Sequence, residues 1–155
     1  MFREIISGSD TWTDFEQALH ALGTDRNVEK GRAFEELTRL YLLADPVFAT
    51  KLTEVWHHTS VPRKVADELG LQQPEIGVDL IARTRDGDYW AIQCKFHQDR
   101  SQNVTYDELK TFLSITERRQ TYERVSHRLV CTSADGVSEK GHSGPPLQAR
   151  VPYCC

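Results

Sequence analysis

The chain has 155 residues, 39% of them hydrophobic and 27% charged, with a formal net charge of -4 and a pI of about 5.9. That length suits one domain with its own core. The composition excludes a fully disordered chain, and no apolar run approaches the roughly 18–20 residues of a membrane span. The acidic balance counts against tight autonomous binding of nucleic acid, whose affinity comes largely from neutralised phosphates. It does not count against a metal-dependent enzyme, whose cation offsets the carboxylates of its site.

Met1-Phe2-Arg3-Glu4 carries an acid and lacks the apolar stretch of a signal peptide, so a cytoplasmic protein with no membrane association is expected. Residues 13–22 read as a short helix: Trp12, Phe15, Ala18, Leu19 and Leu22 recur at helical spacing, and Thr13-Asp14-Phe15-Glu16 has the form of a capping box. A second helix is predicted over residues 28–43, with Asn27 as N-cap, an apolar stripe of Phe34, Leu37, Leu40 and Tyr41, and Asp45-Pro46 as its stop. Residues 52–57 read as a strand, 63–69 as a helical turn and 72–76 as a loop around Pro74. Two apolar runs, 77–84 and 89–96, are strands joined at Asp86-Gly87-Asp88, a hairpin signal. Residues 105–120 form an amphipathic helix with Tyr106, Leu109, Phe112 and Leu113 on one side, and 128–132 a short strand. Cys94 and Cys131 lie inside apolar runs, as buried free thiols do. Cys154 and Cys155 are adjacent and lack zinc-site spacing. The composition turns rich in glycine and proline after Ser133, so 1–133 is read as one domain and 134–155 as an irregular or disordered tail.

The hairpin carries the chemistry. Side chains of a strand alternate faces, so Gln93 and Lys95 share one face while Ile92 and Cys94 take the other. With a loop of Asp86-Gly87-Asp88, Asp79 falls opposite Lys95; with Arg85-Asp86-Gly87, it falls opposite Gln93. Either three-residue loop brings the three polar groups to one face, whereas a two-residue Asp86-Gly87 turn would send Asp79 to the other unless a bulge intervened. Phosphodiester hydrolysis needs these residue types together. Mg²⁺ takes a few oxygen ligands from protein, which an Asp79 carboxylate, a Gln93 amide oxygen and the Cys94 carbonyl can supply. Lys95 can position or help deprotonate an attacking water and stabilise charge on the phosphate. Glu35 neighbours the apolar stripe of its helix and can point under it toward a sheet face, while Glu36 reads as solvated. His57 and His58 point to opposite faces, and ordinary strand-end histidines are expected. Arg118, Arg119, Arg124 and Arg128 form a local basic cluster, with Glu117 and Glu123 as ready partners. No P-loop pattern occurs.

Gly31-Arg32-Ala33-Phe34-Glu35 on a helix, Gly77-Val78-Asp79-Leu80 opening a strand and Gln93-Cys94-Lys95 in the next strand stand in the order of the Mrr-like branch of the PD-(D/E)XK nucleases, which the chain resembles over residues 11–133. Val55-Trp56 and the run from Tyr89 to Phe96 are similar in style to the nuclease domains that open type ISP restriction–modification proteins and DEAD/DEAH-type helicases. The resemblance implies an α/β restriction-endonuclease-like fold, a central mixed β-sheet flanked by helices. It implies a DNA endonuclease dependent on Mg²⁺, with Mn²⁺ able to substitute. Asp79, Gln93, Lys95 and Glu35 would be catalytic, and Asp79, Gln93 and Glu35 would hold the metal. DNA is the implied partner, with a helicase or methyltransferase region in longer homologues and dimerisation for double-strand cleavage. The chain departs from the family in two ways: Gln93 stands where the general superfamily motif has an acid, as is usual in the Mrr branch, and the tail does not resemble the relatives' continuation. The competing readings are a catalytically idle DNA-binding module and an interaction domain, both keeping the fold.

Overall fold

The computed structural model describes residues 2–72, 77–138 and 148–150. Five strands form one mixed sheet in the order β1-β2-β3-β4-β5: β1 (Leu52–His57), β2 (Leu80–Thr84), β3 (Tyr89–Lys95), β4 (Val125–Thr132) and β5 (Gln148–Arg150). The first three pair antiparallel, and β3, β4 and β5 pair parallel. The parallel step from β3 to β4 needs a crossover, supplied by α6 (Tyr106–Thr116) and α7 (Arg119–Arg124). The remaining helices are α1 (Phe2–Ser7), α2 (Trp12–Ala21), α3 (Asn27–Ala44), α4 (Pro46–Ala49) and α5 (Arg63–Leu69). Among the described residues, no helix is long and apolar enough to cross a membrane.

Both faces of the sheet are covered, so β3 is buried along nearly its whole length. Ile81, Tyr89, Ala91 and Val130 pack on one face against α5 and α6, through Val65, Leu69, Leu109 and Phe112. Leu80, Ala82, Trp90, Ile92, Cys94 and Leu129 pack on the other against Phe15, Leu19, Phe34 and Phe48 from α2, α3 and α4. Cys94 and Cys131 are buried, as expected.

The hairpin between β2 and β3 uses the loop Arg85-Asp86-Gly87. Thr84 N–H donates to Asp88 O (2.8 Å), Gly87 N–H donates to Thr84 O (3.2 Å), and Gly87 has a left-handed φ of 90°. A three-residue loop closed by a left-handed glycine is a common hairpin solution. It sets the register Leu80↔Ile92 and so puts Asp79 beside Gln93.

Several boundaries differ from the sequence reading. The capping box of α2 is Thr11 with Asp14, two residues before Thr13: Thr11 N–H donates to Asp14 Oδ2 at 3.0 Å, and Asp14 N–H to Thr11 Oγ1 at 3.2 Å. Asn27 is the first residue of α3, and Arg26 stands at its N-cap without a side-chain cap bond. Asp45 does end α3, but it also caps α4, accepting from Val47 N–H (2.9 Å). The helix expected over 105–120 breaks into α6 and α7 at Glu117 and Arg118, and Thr105 with Glu108 forms a second capping box. β2 begins at Leu80 rather than at residue 77. Of the segment expected as an irregular tail, Ala134 is fully buried, Val137 packs on the core and bridges to Val104, and 148–150 add the edge strand β5. Residues 139–147 and 151–155, and 73–76 of the expected loop, lie outside the described residues.

Two glycines separate close packing from open space. A Cβ at Gly77 would overlap Ile115 Cδ1 and Thr111 Cγ2 of α6, whereas one at Gly31 in α3 would meet nothing within 4 Å. Gly77→Ala is therefore expected to destabilise by ~1–3 kcal/mol through overpacking, and Gly31→Ala to stabilise by about 0.5–1 kcal/mol through helix propensity. Urea unfolding of the two variants checks both signs.

Candidate active site

The β2–β3 ladder ends at the point where the polar residues begin. Asp79 N–H donates to Ile92 O (3.1 Å), and Asp79 O accepts from His58 N–H (2.9 Å). Beyond that point β3 continues without β2 beside it. The Asp79 carboxylate fills the gap: Oδ2 accepts from the Cys94 backbone N–H at 2.6 Å and from Gln93 Nε2 at 2.6 Å. A side chain thus satisfies a backbone donor that a sheet would otherwise pair. The Gln93 amide has its N end committed to Asp79, which leaves its Oε1 buried with no hydrogen-bond partner.

These groups open on a cleft of about 760 Å³ whose walls include Glu35, Asp79, Gln93, Cys94 and Lys95. α3 brings Glu35 there. Phe34 is fully buried against Phe96 (5.9 Å between ring centroids) and Trp12 (6.1 Å), which fixes the rotation of the helix and turns the next residue toward the cleft. The structure therefore brings together the four residues singled out in the sequence.

Two carboxyls here titrate abnormally. Burial, then the Asp79 charge, pushes Glu35 up to about 7, with Arg32 and Lys95 pulling the other way. Burial also raises Asp79, against the lowering effects of the Cys94 N–H and of Lys95. Burial drives the Cys94 thiol far up, so it stays protonated and apolar. Two carboxyls and an unpartnered amide oxygen form a donor set suited to a hard divalent cation, which prefers oxygen. Among the described residues no three His, Cys, Asp or Glu side chains gather as a metal site, so such an ion would depend on the Gln93 amide for its third side chain.

Three residues play parts that the sequence reading did not foresee. Glu36 is not a solvated glutamate. It pairs with Arg39 (2.8 and 2.9 Å) and His57 (2.7 Å), and the Arg39 bond leads in holding its carboxyl down at about 2. His58 lines the cleft with its Nδ1 buried and unpartnered, rather than serving as an ordinary strand end. Lys30, one turn before Phe34 on the buried face of α3, is 1% exposed and lines the same cleft. Glu36 and His58 sit next to residues already picked out, but Lys30 carried no local signal. In the expected basic cluster Arg119 pairs with Glu123, Arg124 with Glu68 and Arg128 with Glu117.

A family model described as a restriction endonuclease, Mrr_cat_2, matches residues 43–143, more than half of the chain. The chain belongs to this restriction-endonuclease family. Among solved structures, this domain is similar to an ATP-dependent type ISP restriction-modification enzyme, LlaBIII, bound to DNA, with a TM-score of 0.58 and 21% identity. The match covers 92% of this chain and 8% of that one, so the domain corresponds to a small part of that enzyme's length. The α/β fold, a mixed sheet flanked by helices, is the restriction-endonuclease-like one. A comparison with curated proteins gave no match.

The titration of Glu35 makes a prediction for the metal-free domain. Its carboxyl binds a proton more tightly folded than unfolded, about 7 against 4.5. The native state therefore holds the extra proton, and stability falls as pH rises from about 4.5 through 7. Glu35→Gln removes that dependence. Calorimetric melting in chelator should show wild type and Glu35→Gln alike near pH 4.5, with the variant increasingly the more stable up to pH 8. A constant difference across that range would count against the burial of this charge.

Proposed function

We propose that this domain is a DNA endonuclease that hydrolyses phosphodiester bonds with Mg²⁺, Mn²⁺ being able to substitute. The carrying observation is the fork between β2 and β3, where the Asp79 carboxylate lies against Gln93, whose amide oxygen is buried and unpartnered. Asp79, Gln93 and Glu35 would hold the cation, with the Cys94 carbonyl as a further oxygen. When bound, the cation neutralises phosphate charge and acidifies water. The remaining work falls to the chain. The Cys94 N–H and Gln93 Nε2 hold the Asp79 carboxylate in one orientation. The Lys95 ammonium, on the last residue of β3, orients the attacking water and stabilises negative charge developing on the phosphate oxygens. Glu35, whose carboxyl is pushed up to about 7 by burial and Asp79, would give up its proton when it joins the cation's ligands.

Membership of a restriction-endonuclease family and the DNA-bound state of the type ISP enzyme support DNA as the substrate. The small share of that enzyme spanned here supports a role beside a helicase or methyltransferase region in a larger assembly. One active site cuts one strand, so cutting both strands implies a dimer or a second encounter. The net charge of -4 means that the isolated domain holds DNA weakly.

Plasmid cleavage at low salt, paired with Mg²⁺ titration by calorimetry, tests this reading. Asp79→Ala should lose both metal affinity and cleavage. Lys95→Ala should lose cleavage by about 10²–10³-fold while binding Mg²⁺ as well as wild type or better. Glu35→Ala should have a smaller effect. Mg²⁺ affinity should rise from pH 6 to pH 8, because the ion must displace the Glu35 proton. Wild-type cleavage that survives Lys95→Ala unchanged refutes the mechanism. No cleavage by the wild type alongside tight duplex binding favours an idle binding module.

A further inference from the structure

One charged side chain in the cleft has no role in the chemistry above. Lys30 lies on the core side of α3, in line with Phe34 and Thr38, yet it ends in an ammonium. Its Nζ is buried and has no hydrogen-bond partner among the described residues. None of the cleft's acids takes it. Asp99 accepts from Ser101 N–H (3.0 Å) and Oγ (2.6 Å), and Asp79 is engaged by Gln93 and Cys94. Glu35 feels Arg32 and Lys95. A buried ammonium without a counter-charge is costly, and an entering anion offsets that cost.

The backbone beside Lys30 favours the same occupant. α3 is 18 residues long, its N-cap Arg26 makes no side-chain cap bond, and Asn27 and Val28 line the cleft. The first amides of a helix have no partner within it, and the positive end of its dipole attracts anions. Gly31, the next residue on this wall, has no side chain, and the space a Cβ would take is open. A helix start without a side-chain cap, an unpartnered ammonium on a four-carbon stem and the open space at Gly31 therefore share one wall of the cleft.

We propose that this wall of the cleft is a phosphate-binding subsite, with Lys30 as its cation, and that it takes a backbone phosphate of the DNA neighbouring the one cut. The inference rests on the reading of the cleft as a DNA site. Five residues of helix separate Lys30 from Glu35, a rise of about 7.5 Å, which places the subsite beside the scissile position rather than on it. Lys30 thereby sets the register of the strand without touching the reacting atoms.

Two measurements on the whole chain test the subsite and the DNA reading separately. The first is thermal melting in chelator, titrated with inorganic phosphate at constant ionic strength, for wild type, Lys30→Met, Lys30→Gln and Lys95→Ala. Phosphate should raise the melting temperature of wild type and of Lys95→Ala with saturation. Lys30→Met, which removes an unpaired buried charge, should melt no lower than wild type and bind phosphate at least tenfold more weakly. Lys30→Gln should bind as weakly and serves if the methionine variant misfolds. No response in wild type, or an undiminished one in both Lys30 variants, overturns the subsite.

The second measurement is fluorescence anisotropy of a short labelled duplex in chelator over a salt series. Lys30→Met should bind about tenfold more weakly at low salt, the usual scale of one charged hydrogen bond, with the slope of log K against log salt reduced by about one. A purely structural lysine would leave that slope unchanged, and an unchanged slope overturns the assignment to DNA. A wild type that responds to phosphate at Lys30 but binds no duplex refutes the nuclease reading and the DNA half of the inference together, leaving a phosphate site of another origin.

Discussion

The Asp79 carboxylate stands in for a strand. Where β2 stops short of β3, the Cys94 N–H would face an apolar interior with no acceptor, at a cost of about 1–3 kcal/mol. Asp79 supplies that acceptor and takes a second bond from Gln93, so one carboxylate closes the sheet and faces the cleft. The structural and chemical demands on it oppose each other. Burial raises its pKa, while the backbone donor and Lys95 lower it, and the charge is tolerated because those partners are already in place. The geometry of the cleft depends on this junction, because Gln93 and Lys95 belong to the strand it secures.

The second constraint is the rotation of α3. Phe34 locks against Phe96 and Trp12, and consecutive glutamates then meet opposite fates. Glu35 turns into the cleft and is pushed up to about 7 by burial and by Asp79. Glu36 turns to Arg39 and His57 and is held at about 2. His57 sits between them, with Nε2 2.7 Å from Glu36 and Nδ1 3.8 Å from Glu35, which ties the helix to the end of β1. A rotation of one residue, about 100°, would take Glu35 out of the cleft and away from the Asp79 charge. The aromatic packing beneath α3 is thus as much a part of the site as the acids it carries.

Charge unites the cleft. The chain is acidic as a whole, and the site gathers two largely buried carboxyls and an orphaned amide oxygen. The cleft wall carries positive groups of its own, Lys95 at the end of β3 and Lys30 on α3. Beyond α6, Arg119, Arg124 and Arg128 are paired with glutamates, so these three leave little net positive charge to attract a polyanion. In a larger restriction enzyme, other regions would provide that attraction.

The local features were legible in the residues. Period-two alternation set the faces of β3, helical spacing marked α2 and α3, and three short motifs named Glu35, Asp79, Gln93 and Lys95 in the order in which the fold uses them. The hairpin parity even limited the loop to two choices, because a one-residue slip sends a side chain to the other face. What packing decided lay beyond local pattern. The choice of Arg85-Asp86-Gly87 placed Asp79 beside Gln93, and the ladder's end at Leu80 made a carboxylate into a backbone partner. The break between α6 and α7, the parallel β5 and the burial of Ala134 depend on contacts between segments far apart in the chain. Glu36 and Lys30 show the reason most plainly. Sequence pattern places a side chain on a face of its own element, but whether that face meets solvent, a counter-charge or nothing depends on what the rest of the chain packs against it.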